Sequence, residues 1–224
     1  MPRNRIIAVT GLKREAAILM GPGVDPLAGG GDSAKLERKL VEASGSASGI
    51  ISIGLAGALS PDLKPGDWVI GQTVVTDEGD FETDARWTQR VLQSLSGARA
   101  GVIAGGDSMI VTTAAKHALG ARTGAVAVDM ESHIAARVAK THGLPFAVAR
   151  VISDGADHAL PVAAQRGMRP DGGMDVLAVL ASLLGDPRQL PALIRTALAA
   201  ETAFRALLRG RQLLGPALGG PDLR

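Results

Sequence analysis

Short apolar runs alternate with segments of helical periodicity along most of the chain. Continuous apolar runs, typical of strands buried on both faces, predict strands at 5–10, 50–53, 100–104, 125–128 and 146–152, with less apolar extended segments at 24–28 and 68–76. Apolar residues recur at helical spacing at 12–20, 34–43, 85–95, 112–119 and 132–141. Strands that alternate with helices are typical of α/β proteins. We therefore predict one domain over residues 1–224, an α/β fold that forms a three-layer α/β/α sandwich with a mixed, mostly parallel central sheet.

The pattern changes after residue 157. A loop is predicted over 161–173, and C-terminal helices packed on the domain are predicted within 174–215, one at 174–184 and one at 190–214. The second helix carries an apolar stripe, with arginines such as Arg195 and Arg205 at its rim. We interpret it as a helix docked on the sheet. The alternative is a basic amphipathic helix that contacts an anionic membrane or a lipid-like substrate.

Carboxylates follow three of the predicted strands. Asp129 and Glu131 follow the strand at 125–128, Asp154 and Asp157 follow the strand at 146–152, and Glu15 lies in the helix after the first strand. Open α/β sheets bind their ligands at the carboxyl ends of the strands. We therefore expect these acidic residues to converge on one cleft. Residues 125–152 are predicted to form a βαβ unit.

Two glycine-rich segments and one acidic segment are predicted to lie outside regular elements. Residues 29–33 lead into the helix at 34–43, where backbone N–H groups of Gly30 and Gly31 and the hydroxyl of Ser33 could hold an anion. The favoured interpretation is simpler, because Asp32 or Ser33 suits the N-cap of that helix. Residues 54–59 are predicted to form a tight turn, and 77–84 an acidic surface loop.

Composition narrows the range of functions. Aromatic residues make up only 2% of the chain and the formal charge is +2, which argues against nucleic-acid binding. There is no cysteine, which is compatible with a reducing cytosol. The four histidines have no metal-binding spacing, and neither a signal peptide nor a membrane-length apolar run is recognisable. We therefore expect no metal, no nucleic acid, and a cytoplasmic location that extends, in one interpretation, to the inner membrane surface.

Five motifs in a fixed order are similar to the purine nucleoside phosphorylase and nucleosidase superfamily. They are Ile53-Gly-Leu-Ala-Gly-Ala-Leu59, Leu63-Lys-Pro-Gly-Asp67, Gly106-Asp-Ser-Met-Ile110, Val128-Asp-Met-Glu131 and Arg150-Val-Ile-Ser-Asp154. The loop Met168-Arg-Pro-Asp-Gly172 and the Leu/Arg-rich C-terminal region most resemble the hopanoid-associated phosphorylases of bacteria. This resemblance implies cleavage of the N-glycosidic bond between a purine, adenine, and a ribose that is carried in that branch by a hopane lipid.

The resemblance also implies roles for individual residues. Asp154 would be the acid at purine N7, and burial at the strand end would keep it protonated. Glu131 would accept hydrogen bonds from the ribose hydroxyls and stabilise the electron-poor sugar. Further substrate contacts are implied for Met130, which lies under the sugar, and for Met109, Gly57, Ala56 and Ser153. Met109 stands where relatives place an aromatic residue against the base.

The nucleophile is left open between water and phosphate. Glu15 corresponds to the water-activating glutamate of the hydrolytic branch if one residue is deleted after Gly11; otherwise it is a solvated acid in the first turn of a helix. Many phosphorylases of the superfamily place an Arg before the Gly-[Ser/Thr] that corresponds to Gly54-Leu55, and here Ser52 and Ile53 occupy that place. We therefore expect no cofactor, with water favoured and phosphate as the alternative co-substrate at Gly30, Gly31 and Ser33.

Two other functional classes fit the pattern less well. A dinucleotide-dependent oxidoreductase would need a Gly-x-Gly-x-x-Gly turn after the first strand, and Thr10-Gly11 does not begin one. A non-catalytic nucleoside-binding or lipid-binding protein would use the same carboxylates for ribose alone. Small 5′-substituted adenosines are the alternative to a lipid-linked substrate, and we expect a homo-oligomer, as in many relatives.

Overall fold

A mixed sheet with helices on both faces forms the protein, seen in a computed structural model that describes residues 5–166, 173, 181–182 and 185–221. The described strands are β1 (Ile6–Thr10), β2 (Val24–Ala28), β3 (Gly49–Ala58), β4 (Trp68–Thr76), β5 (Gly79–Glu82), β6 (Arg99–Gly105), β7 (Ala127–Asp129) and β8 (Phe146–Asp154). The described helices are α1 (Lys13–Leu19), α2 (Ser33–Ser44), α3 (Ala85–Ser94), α4 (Thr113–Thr123), α5 (Ser132–His142), α6 (Val162–Arg166) and α7 (Leu190–Leu214), with 3₁₀ turns at Pro187–Gln189 and Pro216–Gly219.

The pairing of the strands confirms the mixed, mostly parallel sheet. Parallel pairs join β2 to β1, β1 to β3, β3 to β8, β4 to β6 and β6 to β7, whereas β3–β7, β4–β5 and β4–β8 are antiparallel. The pairs β3–β8–β4–β6–β7–β3 close a ring of five strands, and β1 and β2 extend from it. Since β3 borders both β7 and β8, the ends of those two strands meet beside it.

Two apolar layers cover the faces of the sheet. One contains Ile7, Val9, Ile50 and Val148 and packs against α2 and α5, whereas the other contains Ile6, Ile51, Ile53 and Val151 and packs against α1, α3 and α7. Adjacent residues of each strand therefore enter opposite layers, which is why these strands are apolar without interruption. This arrangement leaves the strand ends as the place for polar side chains.

Three predicted segments differ from the structure. The acidic segment at 77–84 contains β5, which pairs antiparallel with the end of β4 as a hairpin. The predicted turn at 54–59 is mostly strand, because β3 continues to Ala58 with an irregularity between Ala56 and Gly57. The predicted loop at 161–173 begins with the short helix α6.

The C-terminal helix is docked on the sheet, as the favoured interpretation predicted. The indole of Trp68 lies against Gly210 of α7, Arg14 of α1 pairs with Glu201 at 2.7 Å, and the indole N–H of Trp87 donates to the carbonyl of Leu218 at 3.0 Å. The predicted helix at 174–184 lies outside the described residues apart from 181 and 182, as does the loop at 168–172. None of the helices in the described ranges has both the length and the apolar character needed to cross a membrane.

The predicted βαβ unit at 125–152 is only partly correct. Its elements are β7, α5 and β8, but β7 and β8 do not pair as parallel neighbours. Gly57 pairs with Val128 of β7 on one side and with Asp154 of β8 on the other. The acidic ends of the two strands therefore converge on β3, by a route that the apolar pattern did not indicate.

Candidate active site

The site begins at an interruption along one edge of β3. On this edge β1 pairs as far as Ser52 and β7 pairs from Gly57, which leaves the intervening backbone without a strand partner among the described residues. Buried backbone groups need hydrogen-bond partners. The N–H of Leu55 donates to Oε1 of Glu15 at 2.6 Å, and its carbonyl accepts from Nη1 of Arg150 at 3.4 Å. Two charged side chains thus fill the gap in the sheet.

Arg150 is fully buried at the centre of this region. Its Nε lies 2.8 Å from Oδ2 of Asp129 as a close ion pair, without the alignment of a hydrogen bond, and its Nη2 lies 3.5 Å from Oε2 of Glu131. Nη2 also donates to the hydroxyls of Ser52 at 2.5 Å and Ser132 at 3.2 Å. A buried guanidinium needs such partners, because desolvation of an unpaired charge is costly.

Asp129 connects Arg150 to the start of α5. Its Oδ1 accepts the backbone N–H of Glu131 at 2.9 Å and of Ser132 at 2.7 Å, and its Oδ2 accepts the Ser132 hydroxyl at 2.5 Å. A carboxylate at this position satisfies N–H groups that the first turn of a helix leaves unpaired. Asp129 therefore has a structural role, because it fixes the backbone of Glu131.

Glu131 is buried against the start of α1. A Cβ placed on Gly11 would lie 2.9 Å from its Oε1, so the absence of a side chain at Gly11 makes room for the carboxyl group. Burial raises the pKa of Glu131 from 4.5 to about 8, with opposition from Arg150 and support from the neighbouring charges of Asp129 and Glu15. In the folded protein at neutral pH, Glu131 consequently favours the protonated form.

Glu15 is 1% exposed and is not the solvated first-turn acid that one interpretation of the sequence allowed. Its Oε2 accepts the N–H of Leu12 at 2.6 Å, while Oε1 binds Leu55 and lies where a Cβ on Gly54 would be only 2.7 Å away. Burial raises the pKa of Glu15, whereas the two backbone donors and the charge of Arg150 lower it. Glu15 thus belongs to the same electrostatic cluster as Glu131.

Asp154 lies on the other side of β3, over Gly57. A Cβ on Gly57 would be 3.2 Å from its Oδ2, and the Ser153 hydroxyl donates to its Oδ1 at 2.7 Å. Its Oδ2 forms an ion pair with the ammonium group of Lys116, a buried residue of α4. A neighbouring cation favours a carboxylate over a carboxylic acid. Asp154 is thus held between the ammonium group of Lys116 and the hydroxyl of Ser153.

A cavity of about 490 Å³ opens beside Asp154. Its described lining is mostly small or apolar and comes from the loop after β3, the segment after Asp154 and α7; it includes Pro61, Leu63, Pro65, Ala156, Ala192 and Ala199. Ligand pockets of drug-sized molecules have volumes of this order and combine apolar walls with a few polar groups. The acidic end of β8 is thus exposed to a space that can hold a small molecule.

The loop at 29–33 follows the N-cap interpretation of the sequence. The side chain of Asp32 accepts the N–H of Lys35 at 2.9 Å at the start of α2. The N–H of Gly30 donates to the carbonyl of Gly11 at 2.9 Å, and the hydroxyl of Ser33 donates to Asp107, which also lies 3.0 Å from Nε2 of His133. Gly30 and Ser33 therefore have internal partners at the positions where the sequence allowed a phosphate site.

The remaining predicted contacts lie around the carboxylates. Met130, Gly31 and Glu131 line a small crevice at the start of α2 and α5. Ala56 is buried, and its carbonyl accepts the Ser153 hydroxyl at 3.2 Å. Met109 is half-buried in the segment after β6. In the parts of the chain that the structure describes, no three His, Asp or Glu residues are grouped in a way that could hold a metal ion.

Two site residues were not assigned a role from the sequence. Arg150 begins one of the family motifs, and a charged residue inside the apolar run 146–152 is the signal that could have identified it. Lys116 gave no signal, because a lysine in an amphipathic helix is ordinarily at the surface. Its partner lies 38 residues away, so only the folded chain reveals the pair.

Comparison with known proteins agrees with this architecture. The S-adenosylhomocysteine nucleosidase from Streptococcus pyogenes superposes with a TM-score of 0.63 at 21% identity, covering 82% of this chain and 98% of its own. The 5′-methylthioadenosine/S-adenosylhomocysteine nucleosidase from Helicobacter pylori gives 0.64 at 19% identity, with 92% and 97% covered. The futalosine hydrolase from Helicobacter pylori gives 0.61 at 19%, with 93% and 97% covered. These likenesses support the predicted fold.

Sequence comparison identifies the family. No curated protein sequence matches the chain. The family model of the phosphorylase superfamily matches residues 7–185, which include Glu15, Asp129, Glu131 and Asp154. The chain therefore belongs to the phosphorylase superfamily, the nucleoside phosphorylases and nucleosidases, as the motifs predicted.

Proposed function

We propose that the protein is a purine nucleosidase that uses water to release adenine from a 5′-substituted adenosine. One observation carries the proposal: Glu15, Glu131 and Asp154 converge on the carboxyl end of β3, two of them beside Arg150 and the third beside Lys116. Cleavage of an N-glycosidic bond needs a proton at the leaving base and negative charge near an electron-poor sugar. Three carboxyl groups in different environments can divide these tasks.

The proposed roles follow from those environments. Asp154 protonates N7 as the C1′–N9 bond breaks, and Glu131 accepts hydrogen bonds from the ribose hydroxyls. Glu15 takes a proton from the water that adds to C1′, since burial raises its pKa and a more basic carboxylate accepts a proton more readily. Its two backbone donors occupy only part of the capacity of a carboxylate, which leaves acceptor sites for that water.

Water is favoured over phosphate by the partners of the nearby donors. A phosphate dianion needs several cationic or N–H donors. Arg150 binds carboxylates, Gly30 donates its N–H to a carbonyl, and the Ser33 hydroxyl donates to Asp107. The carboxyl groups of Asp32 and Glu131 line the same crevice. A dianion would therefore meet carboxyl groups where it needs cationic or N–H donors.

For the 5′ substituent we propose a bulky apolar group, as in the lipid-linked adenosylhopane. The described walls of the cavity beside Asp154 are mostly small or apolar, which suits such a group. Leu190, Ile194 and Leu198 form a separate exposed apolar stripe, on the opposite side of α7 from the residues that line the cavity. The second candidate is a small 5′-thio substituent, favoured by the substrates named for the similar nucleosidases from Streptococcus pyogenes and Helicobacter pylori.

The first experiment incubates the purified protein with adenosines that carry a long alkyl chain or a methylthio group at the 5′ position, with and without phosphate. Free adenine is measured by liquid chromatography. Adenine in the absence of phosphate supports the nucleosidase proposal, and faster release from the alkyl nucleoside supports the bulky substrate. Release of adenine only in the presence of phosphate would reject water as the nucleophile. Binding of the nucleoside without turnover would instead indicate a non-catalytic nucleoside-binding protein.

Asp154→Asn is expected to abolish adenine release while the fold is retained, because the two side chains are nearly isosteric and the amide cannot protonate N7. General acid catalysis typically contributes about 10²–10⁴-fold, so the loss should be at least about 100-fold in kcat. Asp62→Asn, which changes an exposed carboxylate of the loop after β3, is the control. Near-normal turnover by Asp154→Asn would remove it as the acid.

The same apolar stripe of α7 supports contact with a membrane surface. Arg188 and Arg195 lie beside Leu190 and Ile194, and a helix with an apolar face and flanking arginines suits an anionic bilayer. Cosedimentation with vesicles that contain phosphatidylglycerol tests this expectation. Binding that is lost in Ile194→Ser with Leu198→Ser supports it, whereas binding that is unaffected by both changes rejects it. Homo-oligomerisation stays a prediction for size measurements in solution.

A further inference from the structure

Lys116 is a fully buried lysine whose three ammonium hydrogens match three acceptors. It lies in α4, and its Nζ donates to Oδ2 of Asp154, to the carbonyl of Gly155 at 2.8 Å and to the carbonyl of His158 at 2.9 Å. An ammonium group has three donors and no acceptor. Each hydrogen therefore has one partner, and only one of the three partners is charged.

Such burial is too costly to arise from packing alone. Lysine is among the residues that are almost never fully buried unless paired, and a buried ion pair often stabilises a fold no better than apolar residues of the same volume. The pair also includes Asp154, which is the acid that the proposed reaction requires. A chemical role therefore explains this pair better than a structural one.

We propose that Lys116 positions Asp154 and supplies the proton that Asp154 delivers to the leaving purine. The inference rests on the proposed function, because it concerns the acid of that reaction. Asp154 lies beside the cavity as a carboxylate paired with an ammonium group, and a carboxylate alone has no proton to give. The ammonium group is the proton donor in contact with it.

The transfer can be written with every proton accounted for. One proton moves from Nζ of Lys116 to Asp154 and from there to N7, while the electron pair of the C1′–N9 bond passes to the purine. Lys116 becomes a neutral amine whose two remaining N–H groups keep the carbonyls of Gly155 and His158. Water adds to C1′ and its proton passes to Glu15. Solvent then returns a proton to Lys116 and removes the one on Glu15.

The described residues around the pair include other ionisable groups. His117, the next residue of α4, lies 3.0 Å from Asp157 in an exposed pair, and Nδ1 of His158 lies close to Gly155. Lys64 and Arg195 also line the cavity. Because His117 is adjacent to Lys116 in the sequence but exposed, it provides the control for a pH profile.

The test is the pH dependence of kcat in Lys116→Met. At pH 8 we expect a loss of about 100-fold, in the range of general acid catalysis, with KM changed less than about threefold. At pH 5 the loss should be smaller, because the higher proton concentration lets solvent replace Lys116 as the source of the proton. His117→Gln should retain the normal profile. A kcat within threefold of normal at pH 8, or the same loss at every pH, would overturn the proposal.

A double variant keeps the test decisive if Lys116→Met does not fold. Lys116→Met with Asp154→Asn leaves no unpaired charge buried, so it is expected to fold. Since Lys116 acts through Asp154, the double variant should have the same kcat as Asp154→Asn alone, and a further loss of tenfold or more would overturn the proposal. If the unmodified protein releases no adenine, the proposed function itself has failed; if it does and Lys116→Met is unaffected, only the role of Lys116 has failed.

Discussion

The two buried cations of the site, Arg150 and Lys116, have different numbers of carboxylate partners. Arg150 is shared among Asp129, Glu131 and, over a longer distance, Glu15, so the negative groups outnumber the cation. Lys116 has a single carboxylate partner, Asp154, and its other two hydrogens bind neutral carbonyls. The Lys116 end therefore pairs one cation with one carboxylate, whereas the Arg150 end has more carboxyl groups than cations.

This difference affects the protonation of the shared cluster. Burial and the neighbouring carboxylates raise the pKa of Glu131 to about 8, against the charge of Arg150. The proposed reaction needs a proton on the purine side, where Lys116 is the donor beside Asp154. Ribose hydroxyls that donate to Glu131 would favour its ionised form.

Arg150→Met is expected to have the largest effect, because it leaves the shared cluster without a cation. Breaking a buried ion pair by removing one partner typically costs about 3–5 kcal/mol in the free energy of unfolding. Chemical denaturation measures this loss. Arg5→Met, which removes an exposed pair with Asp25, is the control and should cost less than about 1 kcal/mol. Equal stability of the two variants would show that the cluster does not depend on Arg150.

Glu131→Gln is expected to change how stability depends on pH. A carboxyl group whose pKa is 4.5 in the unfolded chain and about 8 in the folded protein binds more protons when folded, so the folded state loses stability as the pH rises between these values. Melting temperatures measured from pH 5 to pH 9 should therefore fall less steeply in Glu131→Gln than in the unmodified protein. The exposed Glu42→Gln should retain the normal slope. Parallel slopes for Glu131→Gln and the unmodified protein would contradict the raised pKa.

Glu131→Gln should also reduce kcat by about 100-fold, the scale for a lost electrostatic contact in the transition state. In the unmodified protein, kcat/KM should rise with pH up to about 8, because the ribose hydroxyls need the ionised form of Glu131. Initial rates across this pH range measure both expectations. A kcat/KM that is flat below pH 8 would mean that Glu131 is already ionised in the free protein.

Two glycine variants are expected to have the smallest effects. They allow a direct comparison of the Glu131 end of the site with the Asp154 end. A Cβ at Gly11 would lie 2.9 Å from Glu131 Oε1, and one at Gly57 would lie 3.2 Å from Asp154 Oδ2. Displacement of a catalytic group by a few tenths of an ångström should lower kcat by roughly tenfold. We expect Gly11→Ala to lose more than Gly57→Ala. The reverse order would indicate that the Lys116 pair tolerates displacement less well than the shared cluster.

The sequence predicted most of the fold because the signals were local. Uninterrupted apolar runs predicted β1, β3, β6, β7 and β8, and helical periodicity predicted α1 to α5 and α7. The hairpin strand β5 was missed because its residues are mostly exposed and two of its four are acidic, so that its pairing with β4 is what identifies it as a strand. The closure of five strands into a ring was not predictable, since pairing partners are set by contacts between distant segments.

For the site, the sequence alone determined which residue types stand at the strand ends: Glu15, Glu131 and Asp154, together with the glycines that leave room for them. The tertiary structure decided the electrostatic environment of each of these carboxyl groups. Burial of Glu15, the sharing of Arg150, and the pairing of Asp154 with a lysine 38 residues away all depend on distances between elements that are remote in the chain. Desolvation and Coulomb energy depend on those distances, and no local pattern of residues contains them.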